Sequence, residues 1–250
     1  MKRIVFVLLF VFSLSLGLVA QETLPTGTAV PVTLTSSLGV GSHPDQLVTG
    51  KIMQRIPTER GLAIPAGAKV IGRVIETRRD SEGGAGSTVS FQFDRIVTKA
   101  GEIPVRTSLR AIASPTEVWD AQIPKTGPDE GASPYSWTTV QVGDDVVYRG
   151  GGAVMAGATV VGKPADDGVL VRLTASPGSE CGDALGNSNQ LQALWVFSSA
   201  ACGVYGFSDL TIHQAEKTPP LGVIVLTSLK KNWKLPSGAG LLLQIVDGSH

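Results

Sequence analysis

The chain has 250 residues, 42% of them hydrophobic, with 21 Lys and Arg against 21 Asp and Glu. That length and apolar content suffice for a large core and exclude a disordered chain, and two cysteines exclude a disulfide-dense miniprotein. A formal charge of zero leaves no electrostatic footprint for nucleic acid, and 30 Gly with 15 Pro argue against a helical protein.

Residues 1–20 read as a secretory signal peptide. Lys2 and Arg3 precede an apolar run from Ile4 to Leu18, and small residues lead to Ala20 before the polar Gln21-Glu22-Thr23. The alternative is an uncleaved membrane anchor, the only form in which a membrane enters the expectation. Loss of Lys2 and Arg3 leaves 19 basic side chains against 21 acidic ones. The expected address is the periplasm, the cell surface or the medium. In such an oxidising compartment Cys181 and Cys202 are expected to pair, closing a loop of about 21 residues at a gain of about 3 kcal/mol.

The rest of the chain reads as all-β. Val30, Val32 and Leu34 alternate with polar or small residues, and so do Val89, Phe91 and Phe93, the pattern of a half-buried strand. Val70–Ile75, Val169–Leu173, Leu194–Phe197, Val223–Leu226 and Leu241–Val246 are short apolar runs that read as strands buried on both faces. Leu109–Ile112 and Pro115–Ala121 are long enough for a helical turn or two. A weak repeat, Pro-x-Gly before an apolar run, occurs at Pro25–Gly27, Pro65–Gly67 and Pro236–Gly238, and Met155-Ala156-Gly157 repeats it without the proline. Proline presets one turn dihedral and glycine accepts positive φ, so each marks a turn entering a strand.

Glu76–Gly86 reads as a loop and 115–136, with four prolines, as a linker. The expected division is therefore a signal segment (1–20), a β-barrel-like unit (21–114), a linker (115–136), an inserted β segment carrying the disulfide (137–234), and a closing strand and tail (235–250). The expected fold is a barrel- or sandwich-like domain with a second β segment inserted before its closing strand.

Chemistry-bearing constellations are few. The histidines are His43, His213 and His250, and neither a Gly-x-Ser-x-Gly elbow nor a zinc-ligand spacing is present. No catalytic residue, cofactor or metal ligand is therefore assigned. Asp144-Asp145 and Asp166-Asp167 sit beside glycines and read as hairpin turns; a surface calcium site or a carboxylate pair for glycoside hydrolysis are the alternatives. Gly83–Gly86 and Gly150–Gly152 lack the lysine of a phosphate-binding loop. Trp233 lies among Lys230, Lys231 and Lys234, while Trp119 and Trp137 flank the proline-rich stretch. These three tryptophans are the candidate binding aromatics, for a glycan if they are exposed and for core packing otherwise.

Residues 24–114 and 235–246 resemble the C-terminal barrel domain of the conjugal-transfer and type IV secretion family that builds the outer-membrane core complex. The resemblance rests on the order of Thr26–Val32, Ser42–Val48, Ile64–Gly72, Val89–Ile96, Ala100–Ile103 and Leu235–Ile245. It implies a barrel-like fold and a part in assembly rather than catalysis. The family's long N-terminal arm is not expected, since the barrel-like unit starts almost at the expected cleavage site, and its apolar antenna helix has no counterpart in 111–145, which contains Pro, Gly and acidic residues. The expectation is an exported, non-enzymatic cell-envelope protein that contacts another envelope protein, itself or a surface. A glycan-binding module or a carboxylate-based hydrolase of envelope polysaccharide is the alternative.

Overall fold

The computed structural model describes residues 24–58, 63–79, 86–125, 138–148, 152–165, 168–174, 190–214 and 222–247. The first nine strands are β1 (Ala29–Leu34), β2 (Leu38–Gly39), β3 (Leu47–Ile52), β4 (Ile56–Pro57), β5 (Ala63–Ile64), β6 (Lys69–Arg79), β7 (Ser87–Thr98), β8 (Gly101–Pro104) and β9 (Arg106–Ala113). Helix α1 (Pro115–Asp120) follows, then β10 (Thr138–Val140), β11 (Val146–Tyr148), β12 (Val154–Ala156), β13 (Thr159–Ala165), β14 (Gly168–Arg172) and β15 (Leu191–Ala193). The chain continues through β16 (Gly203–Tyr205), β17 (Leu210–Gln214), β18 (Ile224–Ser228), β19 (Lys234–Leu235) and β20 (Gly240–Asp247).

The fold is all-β, as expected, and sandwich-like. A ten-stranded sheet runs in the order β16-β9-β20-β1-β3-β6-β7-β18-β17, with β8 paired to β7. It curls around one core to which Val32, Ile52, Val74, Phe91, Leu226, Ile112 and Leu243 all contribute from different strands. Phe91 and Phe93 meet edge to face at 5.8 Å inside it. The end strands β16 and β17 are neighbours, yet no ladder joins them, so the sheet curls without closing.

The Pro-x-Gly repeat is one structural device used three times. Gly27, Gly67 and Gly238 have φ of +86°, +81° and +92°. In each, the following residue donates to the proline carbonyl: Thr28 to Pro25, Ala68 to Pro65 and Ala239 to Pro236. Each glycine N–H also reaches the end of the neighbouring strand, at the carbonyls of Ile245, Ile52 and Leu34, within 2.7–2.8 Å. These turns set the registers β1·β20 and β3·β6.

A second sheet, β10-β11-β12-β13-β14-β15, covers the outer face of β1, β9 and β20. Ala29, Ala111, Ala113 and Leu242 face Val147, Val154, Val169, Val171 and Phe197 across a second core. The small alanines admit the second sheet closely, and at Gly240 a β-carbon would lie 2.8 Å from Val118 and 3.2 Å from Phe197. Val142 pairs with Phe197 in a single parallel bridge, tying the two margins of this sheet together.

Several sequence expectations shift in the structure. Strand β1 is buried on both faces, because the second sheet covers the face that its alternation assigns to solvent. Val70–Ile75 is half-buried instead, with Arg73 outward and Ile75 37% exposed. Leu194–Phe197 is a turn with Trp195 at φ +49°, not a strand. Glu76–Arg79 belongs to β6 rather than to a loop, and Leu109–Ile112 lies in β9. Pro115–Asp120 is helical, with proline in its first turn and the Ser114 hydroxyl accepting from Glu117 N–H at 3.3 Å. The stretch 137–234 is shared: 138–193 builds the second sheet, whereas 203–228 supplies β16, β17 and β18 to the first.

Buried polar side chains join the two sheets. Gln54, after β3, donates to Val169 O at 2.6 Å and accepts from Val169 N and Trp195 N at 3.0 and 2.9 Å. Gln192 of β15 accepts from Ala29 N at 3.0 Å. Arg110 of β9 donates to Ala201 O at 3.0 Å and Thr174 O at 2.5 Å. Gln54→Ala leaves the buried Val169 N–H and the part-buried Trp195 N–H without their acceptor; a buried donor left unsatisfied costs about 1–3 kcal/mol, and urea unfolding is expected to show a loss of at least the lower figure. Gly72→Ala places a β-carbon 1.9 Å from the Gln92 carbonyl oxygen, whereas at Gly67 no atom lies within 4 Å and only the positive φ resists it. The urea midpoint is therefore expected to fall further for Gly72→Ala than for Gly67→Ala.

Candidate functional site

One end of the first sheet gathers the features that can meet a ligand or partner. The register places there the ends of β1, β6, β9, β16 and β18 and the starts of β7, β17 and β20. Helix α1 sits at this end. Its first turn packs so closely on Gly206 (φ +73°) that a β-carbon there would meet the Ser114 hydroxyl at 2.3 Å. Val118 and Ala121 anchor the helix in the second core, which turns Trp119 outward. Trp119 is 66% exposed and Leu229, on the β18–β19 loop, 70%.

Between the β16–β17 turn and the β18–β19 loop lies a pocket of about 310 Å³. Phe207, Leu210 and Trp233 supply its apolar lining, and Asp209, Lys230 and Asn232 are among its polar residues. Its walls are held from below. The Ser87 hydroxyl donates to Lys230 O at 2.7 Å, and Lys230 N donates to the Ser228 hydroxyl at 3.1 Å. The antiparallel β17·β18 pair brings Asp209 to Lys230, whose ammonium forms an ion pair with it. The Ser208 hydroxyl donates to the same carboxylate oxygen at 2.8 Å. Lys230, and then Ser208, hold the Asp209 carboxyl below the usual carboxylate range. Trp233 is fixed by pairing of the next residue, Lys234, with Gly39 of β2, where a β-carbon would lie 2.4 Å from the Trp233 carbonyl oxygen. Its ring packs partly on the main core, and its buried Nε1 has no hydrogen-bond partner among the described residues.

The sequence-derived candidates separate accordingly. Trp119 and Trp233 come to the same end of the fold, one exposed on α1 and the other lining the pocket. Trp137 and Cys181 lie outside the described residues, so the expected Cys181–Cys202 bridge stays a proposal. Asp144 occupies a tight turn at φ +78°, next to Gly143 at φ +94°. Asp145 is buried and accepts from Ser199 N at 2.6 Å. Burial raises its carboxyl above the usual range, against the Ser199 hydrogen bonds that lower it. That carboxylate is engaged in the fold, and Asp166-Asp167 lie outside the described residues. His213 shares a 2.7 Å hydrogen bond with Thr227, and exposed His43 one of 3.2 Å with Pro44 O. No group of three or more His, Cys, Asp or Glu capable of holding a metal occurs among the described residues. Phe207 and Asp209 are pocket residues that the sequence reading did not single out. The alternation of Thr211, Ile212 and His213 was a strand signal that would have placed both in the preceding turn.

The two perturbed carboxyls set opposite pH dependences. A depressed folded-state pKa stabilises above the ordinary Asp value, about 3.9, and that contribution disappears as pH falls through the folded value. Asp209→Asn is therefore expected to be less stable than wild type at neutral pH and to converge with it in acid. A raised pKa works in reverse, its contribution present in acid and lost as pH rises through the folded value. Asp145→Asn, which mimics the protonated carboxyl, should match wild type in acid and gain on it toward neutral pH. Urea unfolding of both variants between pH 2 and 7 checks the two signs.

No family model matches the chain, and no curated protein matches it. Among solved structures, ComB10 of the Com type IV secretion system of Helicobacter pylori aligns at 22% identity with a TM-score of 0.27. The alignment covers 34% of this chain and 43% of that one, less than half of ComB10's length, and a likeness this slight supports no argument about family or function.

Proposed function

We propose that the chain is an exported, non-enzymatic cell-envelope protein that acts by contact with another envelope protein, or with a second copy of itself, through its α1 end. The observation that carries this reading is the distribution of side chains. The buried polar groups Gln54, Arg110, Gln192 and Asp145 are committed to holding the fold together. Large apolar side chains at the α1 end, Trp119 and Leu229, stand in solvent. Exposed aromatic and aliphatic groups beside charged ones are the composition of contact surfaces. Export rests on residues 1–20, whose basic start and apolar centre have the pattern of a signal peptide.

The glycan-binding alternative draws support from the pocket, where Trp233 and Phe207 lie beside Asp209, Lys230 and Asn232. Its hydrolase form is left without Asp145, which Ser199 holds in the interior.

A photo-crosslinking amino acid at Trp119 or Leu229 is expected to yield a discrete adduct in intact cells, to one envelope protein or to a second copy. The same amino acid at Val160, exposed on the second sheet, is expected to yield none. Equal labelling from all three positions, or from none, would contradict the contact surface. N-terminal sequencing of the exported chain should begin at Gln21, and recovery of the full-length chain in the membrane fraction would contradict cleavage.

A further inference from the structure

We infer that the pocket between the β16–β17 turn and the β18–β19 loop binds an acidic saccharide, a sugar chain bearing carboxylates. This rests on the reading of the α1 end as the working surface and names a ligand for it. The cavity of about 310 Å³ is of small-ligand size. Its composition is two-sided. Phe207, Leu210 and Trp233 offer apolar surface, which suits the C–H face of a pyranose ring.

The polar lining is matched to hydroxyl groups, each of which donates and accepts. Asp209 accepts, Lys230 donates, and Ser208 and Asn232 do both. These groups are already arranged. The Asp209–Lys230 ion pair and the Ser208 hydrogen bond hold three of them together across two loops, so a ligand meets them with less side-chain ordering still to be done.

Charge selects the class of sugar. Asp209 neutralises Lys230, and Glu117 lies beyond Gly206 in the α1 wall. Lys234 lines the pocket, and Lys231 stands between the lining residues Lys230 and Asn232 in sequence; both are exposed. The pocket thus presents one lining cation beyond its own ion pair, Lys234, with Lys231 next to the lining in sequence, and a uronic acid carboxylate is their complement. An acidic peptide would share that charge but would make little use of the hydroxyl-matched lining.

The test is calorimetric titration of the purified full chain with oligogalacturonate, with the same oligomer methyl-esterified, with an alginate oligomer and with hexaglutamate. At least one uronic acid oligomer is expected to bind, and oligogalacturonate several-fold to about tenfold more tightly than its ester, the scale of two exposed charge contacts. Lys231→Gln with Lys234→Gln, both solvent-facing changes, should remove the acid-over-ester preference at low salt. Asn232→Ala should weaken acid and ester alike, with circular dichroism showing each variant folded. Absence of binding to both uronic acid oligomers, equal affinity for acid and ester, or hexaglutamate binding as tightly would overturn the inference. Saccharide binding without crosslinks from Trp119 would remove the protein-partner reading alone, and crosslinks without saccharide binding would remove this inference alone.

Discussion

In the middle of strand β9 one residue is left without a counterpart on β20, and that residue is Arg110. Leu242 pairs with Ala111 and Leu243 with Leu109, so Arg110 has no counterpart. A bulge of this kind turns two successive side chains to the same face. Leu109 and Ile112 point into the first core, while Arg110 and Ala111 both address the second sheet. The rest of the architecture follows from that switch. Alanines give the second sheet a close seat, and the guanidinium reaches past them to the carbonyls of Thr174 and Ala201. Burial lowers the Arg110 pKa, partly offset by nearby Tyr205. A guanidinium cannot shed its proton at physiological pH, so its hydrogen bonds to carbonyls are what make its burial tolerable.

The seam explains why the buried chemistry of this protein is structural. Gln54, Gln192 and Arg110 each satisfy main-chain groups that a flat apolar interface would leave without partners. The cost of leaving such groups unsatisfied gives the two sheets one relative position, which nonspecific apolar packing alone does not. With its interior committed, the molecule leaves its large projecting side chains to the α1 end, where loops are pinned by Ser87, Ser228 and the Asp209–Lys230 pair while Trp119 and Leu229 stand exposed.

Much of this was legible in short windows of sequence. The three Pro-x-Gly turns, the half-buried β7 and the burial of Leu241–Ile245 in β20 on both faces all follow from local dihedral preference and alternation. What was not legible depends on partners distant in sequence. Strand β1 alternates as though one face were wet, and only the arrival of β15 and Gln192 buries it. Val70–Ile75 is apolar enough to be covered twice, but the second sheet lies over β1, β9 and β20 and never reaches it. Likewise 203–228 returns to the first sheet through pairing with β9 and β7, contacts that no window of neighbouring residues encodes. At the site, Trp233 stands out among its lysines, yet Asp209 gains a role only when the β17·β18 hairpin sets it beside Lys230.

The polar seam makes the two sheets one cooperative unit with a more accessible α1 end. Native-state amide hydrogen exchange reads this directly. The amides of Ala29, Val169, Trp195 and Ser199 should exchange only through global unfolding, with the same free energy as Leu241 and Leu243 of β20, while those of 229–232 exchange faster. Seam amides that exchange well ahead of β20 would show the second sheet detaching on its own, and the two sheets would not be one cooperative unit.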